Sequence, residues 1–202
     1  MNNPLLQEEH PGTGLSFPAA LALVDRLGGD ALWTRHCRAA ARVAERAGEL
    51  LADRSPVDRE FLRVAALVHD IGRHKTQDPV LHGVEGFRFL SSLGHHREAF
   101  VCVCHIQCGL SRREALQFGL PDRDFLPRTL EERMIPVIDS VVELDRPTTI
   151  DARFASLARR YPHNPLFLAT VDRSHRRVRA LFDHIESRYG ISLEKVAAEA
   201  LG

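Results

Sequence analysis

Residues 64–75 read VAALVHDIGRHK and contain the most informative pattern in the chain. An apolar run with helical character ends in two adjacent polar side chains, His69 and Asp70, and Gly72 follows at once. Imidazole and carboxylate groups are good ligands for a divalent transition metal, and a glycine past a helix end lets neighbouring side chains turn toward one point. Adjacent histidine and aspartate residues are also common by chance. A metal site therefore requires further ligands from elsewhere in the chain.

The length and charge balance of the chain restrict the classes of protein to which it can belong. With 202 residues it can bury a substantial core, and we predict a single domain. The 27 basic and 27 acidic residues cancel, so no net field attracts the protein to a nucleic-acid polymer or an anionic membrane. No apolar run approaches membrane-spanning length, and the N-terminus lacks a signal-peptide pattern. We expect a cytoplasmic protein, with a homo-oligomer among the open alternatives.

Four cysteines occur in the chain, and their spacing argues against both disulfide bonds and a zinc site. Three of them fall on one predicted helix, where they could hardly pair without disrupting it. None shows the paired C-x-x-C spacing of structural zinc sites. We expect reduced thiols in the core. The four residues are Cys37, Cys102, Cys104 and Cys108.

The spacing of the apolar residues predicts an all-α protein. Within the single domain, residues 1–202, we expect a core of about five helices over residues 30–145. An additional helix precedes this core, and a helical extension over residues 150–202 follows it and looks structural. Capping boxes at Ser111 and Thr129 predict the starts of two of the helices.

Several element boundaries are also predicted. Residues 1–16 are rich in proline and glycine and are expected to form a loose arm. Asp30 is expected to cap the second helix. The spacing predicts one helix over residues 97–108 and another over residues 130–144. On the long C-terminal helix, a basic cluster around Arg177 is interpreted as a solvated face.

Three further histidines and one aspartate lie on apolar helical faces. His36, His82 and His105 each have apolar residues one helical turn away. Taken singly, each is most simply a buried histidine satisfied by hydrogen bonds. Asp139 lies within the apolar run of residues 135–142, where an unpaired carboxylate would cost several kcal/mol. It must therefore be paired, protonated or bound to a metal.

These residues together resemble the pattern of the HD-domain superfamily of metal-dependent hydrolases, which is a histidine, a His-Asp pair and a distant aspartate. The matching residues are His36, His69, Asp70 and Asp139. The string HDIG at residues 69–72 is the form that defines the HDIG subgroup. His82 and His105 match the two additional histidines of one subgroup. The resemblance covers roughly residues 34–144.

The resemblance implies an all-α core with one or two divalent transition metals per chain. Four side chains would hold the first ion, namely His36, His69, Asp70 and Asp139. In a dinuclear site Asp70 would bridge to a second ion held by His82 and His105. In a mononuclear site these two histidines would instead carry protons or donate to phosphate. Nitrogen and oxygen ligands without thiolate suit manganese, iron, cobalt or zinc (Mn, Fe, Co or Zn).

The resemblance further implies a phosphohydrolase that uses a metal-activated water. The substrate would be a phosphomonoester or phosphodiester, such as a nucleotide or another small phosphorylated metabolite. Asp70, His82 and His105 are the expected catalytic residues. Arg73 and Lys75 follow the His-Asp pair and are expected to neutralise charge on the phosphoryl oxygens.

Other features of the sequence complete this interpretation and leave alternatives open. Arg112 flanks the proline-bounded loop of residues 120–127, which we expect to form the rim of the site with Arg112 binding substrate. Glu85, one turn after His82, is expected to orient that histidine. A di-iron oxygenase with the same six ligands and a non-catalytic nucleotide- or metal-binding regulatory module remain alternative functions.

Overall fold

The computed structural model describes residues 14–160, 162–163 and 165–202, and most of the predicted N-terminal arm lies outside these residues. The described chain is 70% helical, with ten α-helices and one short antiparallel pair of strands, which confirms the all-α prediction. In chain order the elements are α1 Phe17–Gly28, α2 Leu32–Leu51, α3 Arg59–Val68, α4 Leu81–Ser92, α5 His96–Cys104, α6 Arg112–Gln117, α7 Leu130–Ser140, β1 Val142–Glu143, β2 Arg146–Pro147, α8 Ile150–Arg160, α9 Pro165–Tyr189 and α10 Leu193–Leu201.

Helix α3 lies at the centre of the fold. It packs against α1, α2, α5 and α7, and its residues 64–68 are fully buried. Leu62 and Ala65 join the larger apolar cluster, whereas Val64 and Leu67 join the cluster that includes α1. Because apolar neighbours enclose α3 on these different faces, the side chains that follow its last turn are carried into the interior.

The C-terminal helices pack on the same core. α8 and α9 pack against α7, and α10 packs against α2. One continuous apolar cluster includes Leu51 of α2, Ile138 of α7, Phe182 of α9 and Val196 of α10. The predicted C-terminal extension is therefore in contact with the core helices. Among the described residues, no helix combines the length and the apolar character needed to cross a lipid bilayer.

Two of the predicted helix starts are confirmed and one is wrong. The capping boxes at Ser111 and Thr129 are both formed. In each, the hydroxyl of the capping residue accepts the backbone N–H of the glutamate three residues later, and the carboxylate of that glutamate accepts the backbone N–H of the capping residue. Asp30 does not cap α2. The helix starts after Ala31 without a side-chain cap, and the Thr34 hydroxyl donates to the carbonyl oxygen of Ala31 at 2.7 Å.

Two helices end about one turn earlier than the apolar spacing predicts. α5 ends at Cys104 and passes into a 3-10 turn in which Gln107 has a φ of 54°. α7 ends at Ser140, and the chain then enters the β1–β2 hairpin with Leu144 at a φ of 57°. Periodicity misses these ends because apolar residues continue past each helix. Both irregular segments directly follow a predicted metal ligand.

The turn after α3 is in direct contact with α4. A Cβ atom added at Gly72 would lie 1.9 Å from the carbonyl oxygen of His82 and 2.4 Å from the amide nitrogen of Gly86. Real Cβ atoms do not approach backbone atoms this closely, so only glycine permits the contact. The closeness of the two backbones brings the start of α4 next to Asp70.

Replacement of Gly72 by alanine is expected to destabilise the protein by about 1–3 kcal/mol, because the methyl group would have to push α4 away from the turn. Urea unfolding would measure the change. Gly14→Ala is the control, since a Cβ at Gly14 would meet its nearest neighbour at an ordinary 3.8 Å. Equal unfolding midpoints for the two variants would contradict the close packing described here.

Candidate metal centre

The six predicted ligands come from five helices and lie together in the interior. His36 lies on α2 and His82 in the first turn of α4. His69 and His105 are the C-terminal capping residues of α3 and α5. Asp70 follows His69, and Asp139 lies in the last turn of α7.

One group of ligand atoms is formed by His36, His69 and Asp139. The Oδ1 atom of Asp139 lies 3.0 Å from Nε2 of His36 and 3.8 Å from Nε2 of His69. Each residue contributes an atom to a set whose members all lie within 4.8 Å of one another. These spacings are close enough for one cation to contact all three side chains.

A second group is centred on Asp70. Its Oδ1 atom lies 2.8 Å from Nε2 of His82, 3.5 Å from Nε2 of His105 and 3.9 Å from Nε2 of His69. His69, Asp70 and His105 also form a set within 4.8 Å. His69 therefore belongs to both groups and links them.

All four histidines have the same orientation relative to the backbone. In each ring, Nδ1 lies within hydrogen-bond distance of a carbonyl oxygen, so it carries a proton and donates it. Such an arrangement leaves the Nε2 lone pair available to a metal and fixes the ring. The pairs are His36 with Leu144 at 3.1 Å, His69 with Ala66 at 2.8 Å, His82 with Asp78 at 2.8 Å and His105 with Val101 at 3.2 Å.

Two contacts in the cluster would be made favourable by a cation. Nε2 of His69 is buried and has no hydrogen-bond partner among the described residues. Nε2 of His82 lies 3.3 Å from Nε2 of His105, although each ring already donates through Nδ1. Two lone pairs at this distance repel each other unless a proton or a metal ion lies between them. The donor set thus fits a divalent transition metal.

The pKa values of three cluster residues favour the protonation state that a cation requires. Burial lowers the pKa of His69 from 6.5 to about 4, so its ring is neutral at neutral pH. Burial would raise the pKa of Asp70, but its interactions with His82 and Arg73 outweigh this effect and lower the pKa well below its usual range. Burial likewise opposes ionisation of Asp139, but its contacts with His36 lower that pKa. Both carboxylates are therefore ionised.

A cavity of about 350 Å³ opens beside the cluster. Asp70, His82, His105 and Asp139 lie on its wall, whereas His36 and His69 are not among the lining residues. α9, which the sequence presents as structural, lines the cavity through Val171, Ser174 and other residues. That interpretation of α9 is incomplete because the packing of α9 against α7 brings one of its faces to the site.

Two arginines line the cavity, and the sequence identifies only one of them as a site residue. Nε of Arg73 donates to Oδ2 of Asp70. Arg153 of α8 is the residue that sequence reasoning missed, and its Nη2 lies 3.9 Å from Oδ1 of Asp139. A signal for Arg153 was present, because it shares a helical stripe with Ile150 and Leu157. A charged residue on an apolar stripe needs a buried partner.

Lys75 and Arg112, both predicted to bind substrate, are not among the described residues that line the cavity. Nζ of Lys75 lies 3.5 Å from Oε2 of Glu85 on the protein surface. Arg112 is exposed and pairs with Asp122. Each is engaged by a nearby acidic partner instead of the cluster. The expected orientation of His82 by Glu85 is also wrong, because the carbonyl oxygen of Asp78 has that role.

The loop of residues 120–127 does not form the predicted rim. Its backbone pairs with the segment after α5, through reciprocal hydrogen bonds between Leu110 and Phe125. Phe125 is fully buried and stacks on Phe100 at a centroid distance of 5.5 Å. No residue of the loop is among those that line the cavity. The loop therefore supports the end of α5 rather than covering the site.

The four cysteines are buried thiols. Burial raises the pKa of Cys37, Cys102 and Cys104 well above the usual value, and it raises the pKa of Cys108 to about 12. All four are therefore protonated at neutral pH and are poor metal ligands. The ligands offered by the cluster are nitrogen and oxygen atoms.

α9 also stabilises the irregular turn after His105. The turn contains two non-glycine residues, Gln107 and Cys108, at positive φ, which costs on the order of 1–3 kcal/mol for each such residue. Nη1 of Arg177 donates to the carbonyl oxygens of Gln107 and Gly109 at 3.3 and 3.2 Å. The solvated face predicted around Arg177 is thus wrong for this residue, which holds the backbone next to His105.

The fold and the cluster define the class of protein: an all-α domain in which imidazoles and carboxylates from five helices meet at one buried centre. The model of the family described as "HD domain" matches residues 33–161, and the chain belongs to this family. Membership of the HDIG subgroup stays a prediction.

Proteins with similar sequences include the three that follow. An uncharacterized protein of Methanocaldococcus jannaschii is 33% identical over 130 residues, which cover 63% of this chain and 76% of the relative. A tRNA (cytidine(56)-2'-O)-methyltransferase of Picrophilus torridus is 29% identical over 171 residues, or 84% of this chain and 46% of the relative. The enzyme of the same name from Thermoplasma volcanium is 31% identical over 97 residues, or 48% of this chain and 28% of the relative.

The chain spans less than half the length of the two methyltransferases that it matches. No solved structure matches the chain.

The metal-free protein is expected to lose stability as the pH falls from about 6.5 to about 4. In this window an unfolded chain protonates His69 but the folded chain does not, so the free energy of unfolding drops by up to ~3 kcal/mol from this residue. Urea unfolding of chelator-treated protein at several pH values would measure the slope. His69→Gln should flatten it, whereas His184→Gln, at an exposed histidine, is the control. An unchanged slope in His69→Gln would show that His69 is not the residue whose low pKa causes the loss of stability.

Arg177→Met is expected to weaken metal binding at the side of the cluster that contains His105. Loss of a group that positions a ligand typically lowers metal affinity by about 10–100-fold. Cobalt titration followed by its absorption spectrum would measure the affinity. Arg176→Met is the matched control, since the neighbouring Arg176 is exposed and pairs with Asp172. Equal cobalt affinity in both variants would show that the turn after His105 keeps its conformation without the Arg177 side chain.

Proposed function

We propose that this chain is a metal-dependent phosphohydrolase that acts on a nucleotide or another small phosphorylated metabolite. The observation that carries the proposal is a pair of contacts in the cluster: the buried Nε2 of His69 lacks a hydrogen-bond partner among the described residues, and the Nε2 atoms of His82 and His105 face each other at 3.3 Å. A cation resolves both, and the cluster lies beside a cavity of about 350 Å³.

The six candidate ligands suit a site for one ion or a site for two. His36, His69, Asp70 and Asp139 would hold the first. A second ion would share Asp70 and be held by His82 and His105. Manganese, iron, cobalt and zinc are the ions that suit these ligands. When bound, such an ion lowers the pKa of a coordinated water and polarises a phosphoryl oxygen.

The chain's own residues contribute binding and orientation. Arg73 lines the cavity while its Nε holds Asp70, so one guanidinium orients a ligand and offers its other N–H groups to a phosphoryl oxygen. With a single ion, a proton shared by the Nε2 atoms of His82 and His105 would be available to the leaving oxygen. The apolar part of the wall excludes water and thereby strengthens these charge interactions.

The arginines favour a phosphorylated ligand, and hence hydrolysis, over the oxygenase activity, whereas turnover separates hydrolysis from the regulatory module. A di-iron oxygenase could use the same six ligands, and a regulatory module could bind a nucleotide without turnover. Two guanidinium groups that line the cavity, from Arg73 and Arg153, are what recognition of a phosphoryl group requires. Activation of oxygen has no comparable need for two cations beside the metal ligands.

A second candidate partner is transfer RNA, because two of the relatives carry the name of a tRNA methyltransferase. The balanced charge of this chain supplies no net attraction for a polyanion. We therefore place a small phosphate ester first and RNA second. Binding of tRNA, measured against salt concentration, separates the two candidates.

The central test is metal content and hydrolysis measured on the same preparations. Protein purified without chelator should contain about one or two transition-metal ions per chain, and it should hydrolyse at least one member of a panel of phosphate esters with Mn, Fe, Co or Zn added. His69→Ala and Asp70→Ala should lose metal and lower the rate by at least ~100-fold. His184→Ala is the control, because His184 is exposed.

Three outcomes would overturn the proposal. Full activity and metal content in His69→Ala would show that the reaction occurs elsewhere. Tight nucleotide binding without turnover would favour the regulatory module. An oxidised product that forms only with iron and oxygen would favour the oxygenase.

A further inference from the structure

The cavity beside the cluster has one charged region. Four charged side chains are among the described residues that line it, namely Asp70, Arg73, Asp139 and Arg153. All four are in contact with the candidate metal ligands or are such ligands themselves. Among the described residues that line the cavity, no charged side chain away from the cluster could recognise a second phosphate, an ammonium or a carboxylate group of a substrate.

Arg153 is placed to receive an anion. Its side chain is 14% exposed, and its closest acidic partners lie at 3.6 Å from Glu143 and 3.9 Å from Asp139. Both contacts exceed the length of a strong charge-assisted hydrogen bond, which is about 2.7–2.9 Å. The guanidinium therefore carries a nearly buried charge without tight pairing among the described residues, whereas Arg73 is tightly bound to Asp70. An additional anion would satisfy Arg153.

The remaining wall of the cavity is mostly apolar. Leu157 lies one helical turn beyond Arg153 on α8, next to Phe154, and α9 adds Val171 and Val178. A molecule whose anionic end contacts Arg153 would thus have its uncharged part against these side chains. Burial of such a part adds roughly 25 cal/mol per Å² of apolar surface.

Three polar side chains of this wall already form hydrogen bonds within the protein. The hydroxyl of Ser174 donates to Thr170, and that of Ser140 donates to Pro136. Oε1 of Gln107 accepts from Arg173. Few donors remain to match the hydroxyl groups of a sugar. A polyol would therefore lose hydrogen bonds to water without replacing them, which is costly.

Charge balance favours a phosphomonoester over a phosphodiester. The two aspartates and the two arginines that line the cavity cancel, so every bound divalent ion leaves a charge of about +2 for the substrate to offset. The dianion of a monoester offsets it, whereas a diester carries half that charge. The volume, about 350 Å³, is also at the small end of ligand pockets, which disfavours a second organic group.

We propose that the cavity binds the phosphomonoester of a small, uncharged and mainly apolar alcohol or phenol, with Arg153 and Arg73 on the phosphoryl group and the organic group between α8 and α9. This inference rests on the proposed phosphohydrolase function for its reaction. Hydrolysis then breaks the bond from phosphorus to the ester oxygen. Water supplies the hydroxide to phosphorus and the proton to the departing alcohol.

The test compares substrates that differ only in the organic group. With the metal-loaded protein, kcat/KM for phenyl phosphate and hexyl phosphate should exceed that for glycerol phosphate and a hexose phosphate by at least ~10-fold. A diester of the same phenol should be cleaved at least ~10-fold more slowly than the monoester. Equal rates for the hexose phosphate, or faster cleavage of the diester, would overturn the inference and leave the phosphohydrolase proposal standing.

Binding of non-hydrolysable phosphonates provides a readout that does not depend on turnover. By calorimetry, phenylphosphonate should bind at least ~10-fold more tightly than hydroxymethylphosphonate. Arg153→Met should weaken both to a similar extent, and Arg153→Lys should restore part of the affinity. Equal affinity for the two phosphonates would overturn the inference. Tight binding of phenylphosphonate without hydrolysis of any ester would support the ligand class and overturn the proposed reaction.

Variants of the apolar wall test the location of the organic group. Leu157→Asn should lower the preference for phenyl over hydroxymethyl phosphonate by several-fold, because it places an amide against the ring. Leu116→Asn is the matched control, since Leu116 is 51% exposed on α6 and does not line the cavity. Circular dichroism confirms that each variant is folded. An unchanged preference in folded Leu157→Asn would place the organic group elsewhere and overturn the inference.

Discussion

Donation by four imidazole Nδ1 atoms to backbone carbonyl oxygens is the interaction that shapes the centre of this protein. It directs four Nε2 lone pairs and two ionised carboxylates into a buried space, which is unfavourable without a positive charge. The ends of three helices increase the need for positive charge at this centre. His69 and His105 cap the C-termini of α3 and α5, and Asp139 precedes the last residue of α7. Helix C-termini carry partial negative charge and attract cations.

The fold supplies this geometry through close backbone packing. Gly72 lets the turn after α3 touch α4, which brings His82 to Asp70. The β1–β2 hairpin begins directly after α7, and its Leu144 carbonyl fixes His36. Two short irregular segments therefore have as large a part in placing the ligands as the long helices. Their strained residues, Gln107 and Leu144, are stabilised by neighbours that are distant in sequence or by the hairpin itself.

The sequence predicts the all-α fold and the six clustered side chains because both leave local signals. Apolar residues at helical spacing mark the helices, and a polar residue within such a stripe, as at His105 or Asp139, must be paired in the interior. The role of the α9 face depends on which surfaces meet, and the stripe that contains Arg153 signals a buried partner without identifying it. Lys75 and Arg112 were assigned by proximity in sequence, whereas nearby carboxylates engage them. The capping role predicted for Asp30 is wrong because the helix begins one residue later than predicted, with Ala31 and not Asp30 at the N-cap position.

The match to the HD domain ends at residue 161, whereas Val171, Ser174 and Val178 of the cavity wall lie on α9 beyond it. The candidate metal ligands and the α8 part of the cavity wall thus lie within the matched residues, whereas the α9 part of the wall lies outside them. Substitution along one face of α9 could redirect the protein to new compounds while the reactive centre is retained. Natural selection or protein engineering can therefore change the selectivity for the ligand's organic group through substitutions on α9.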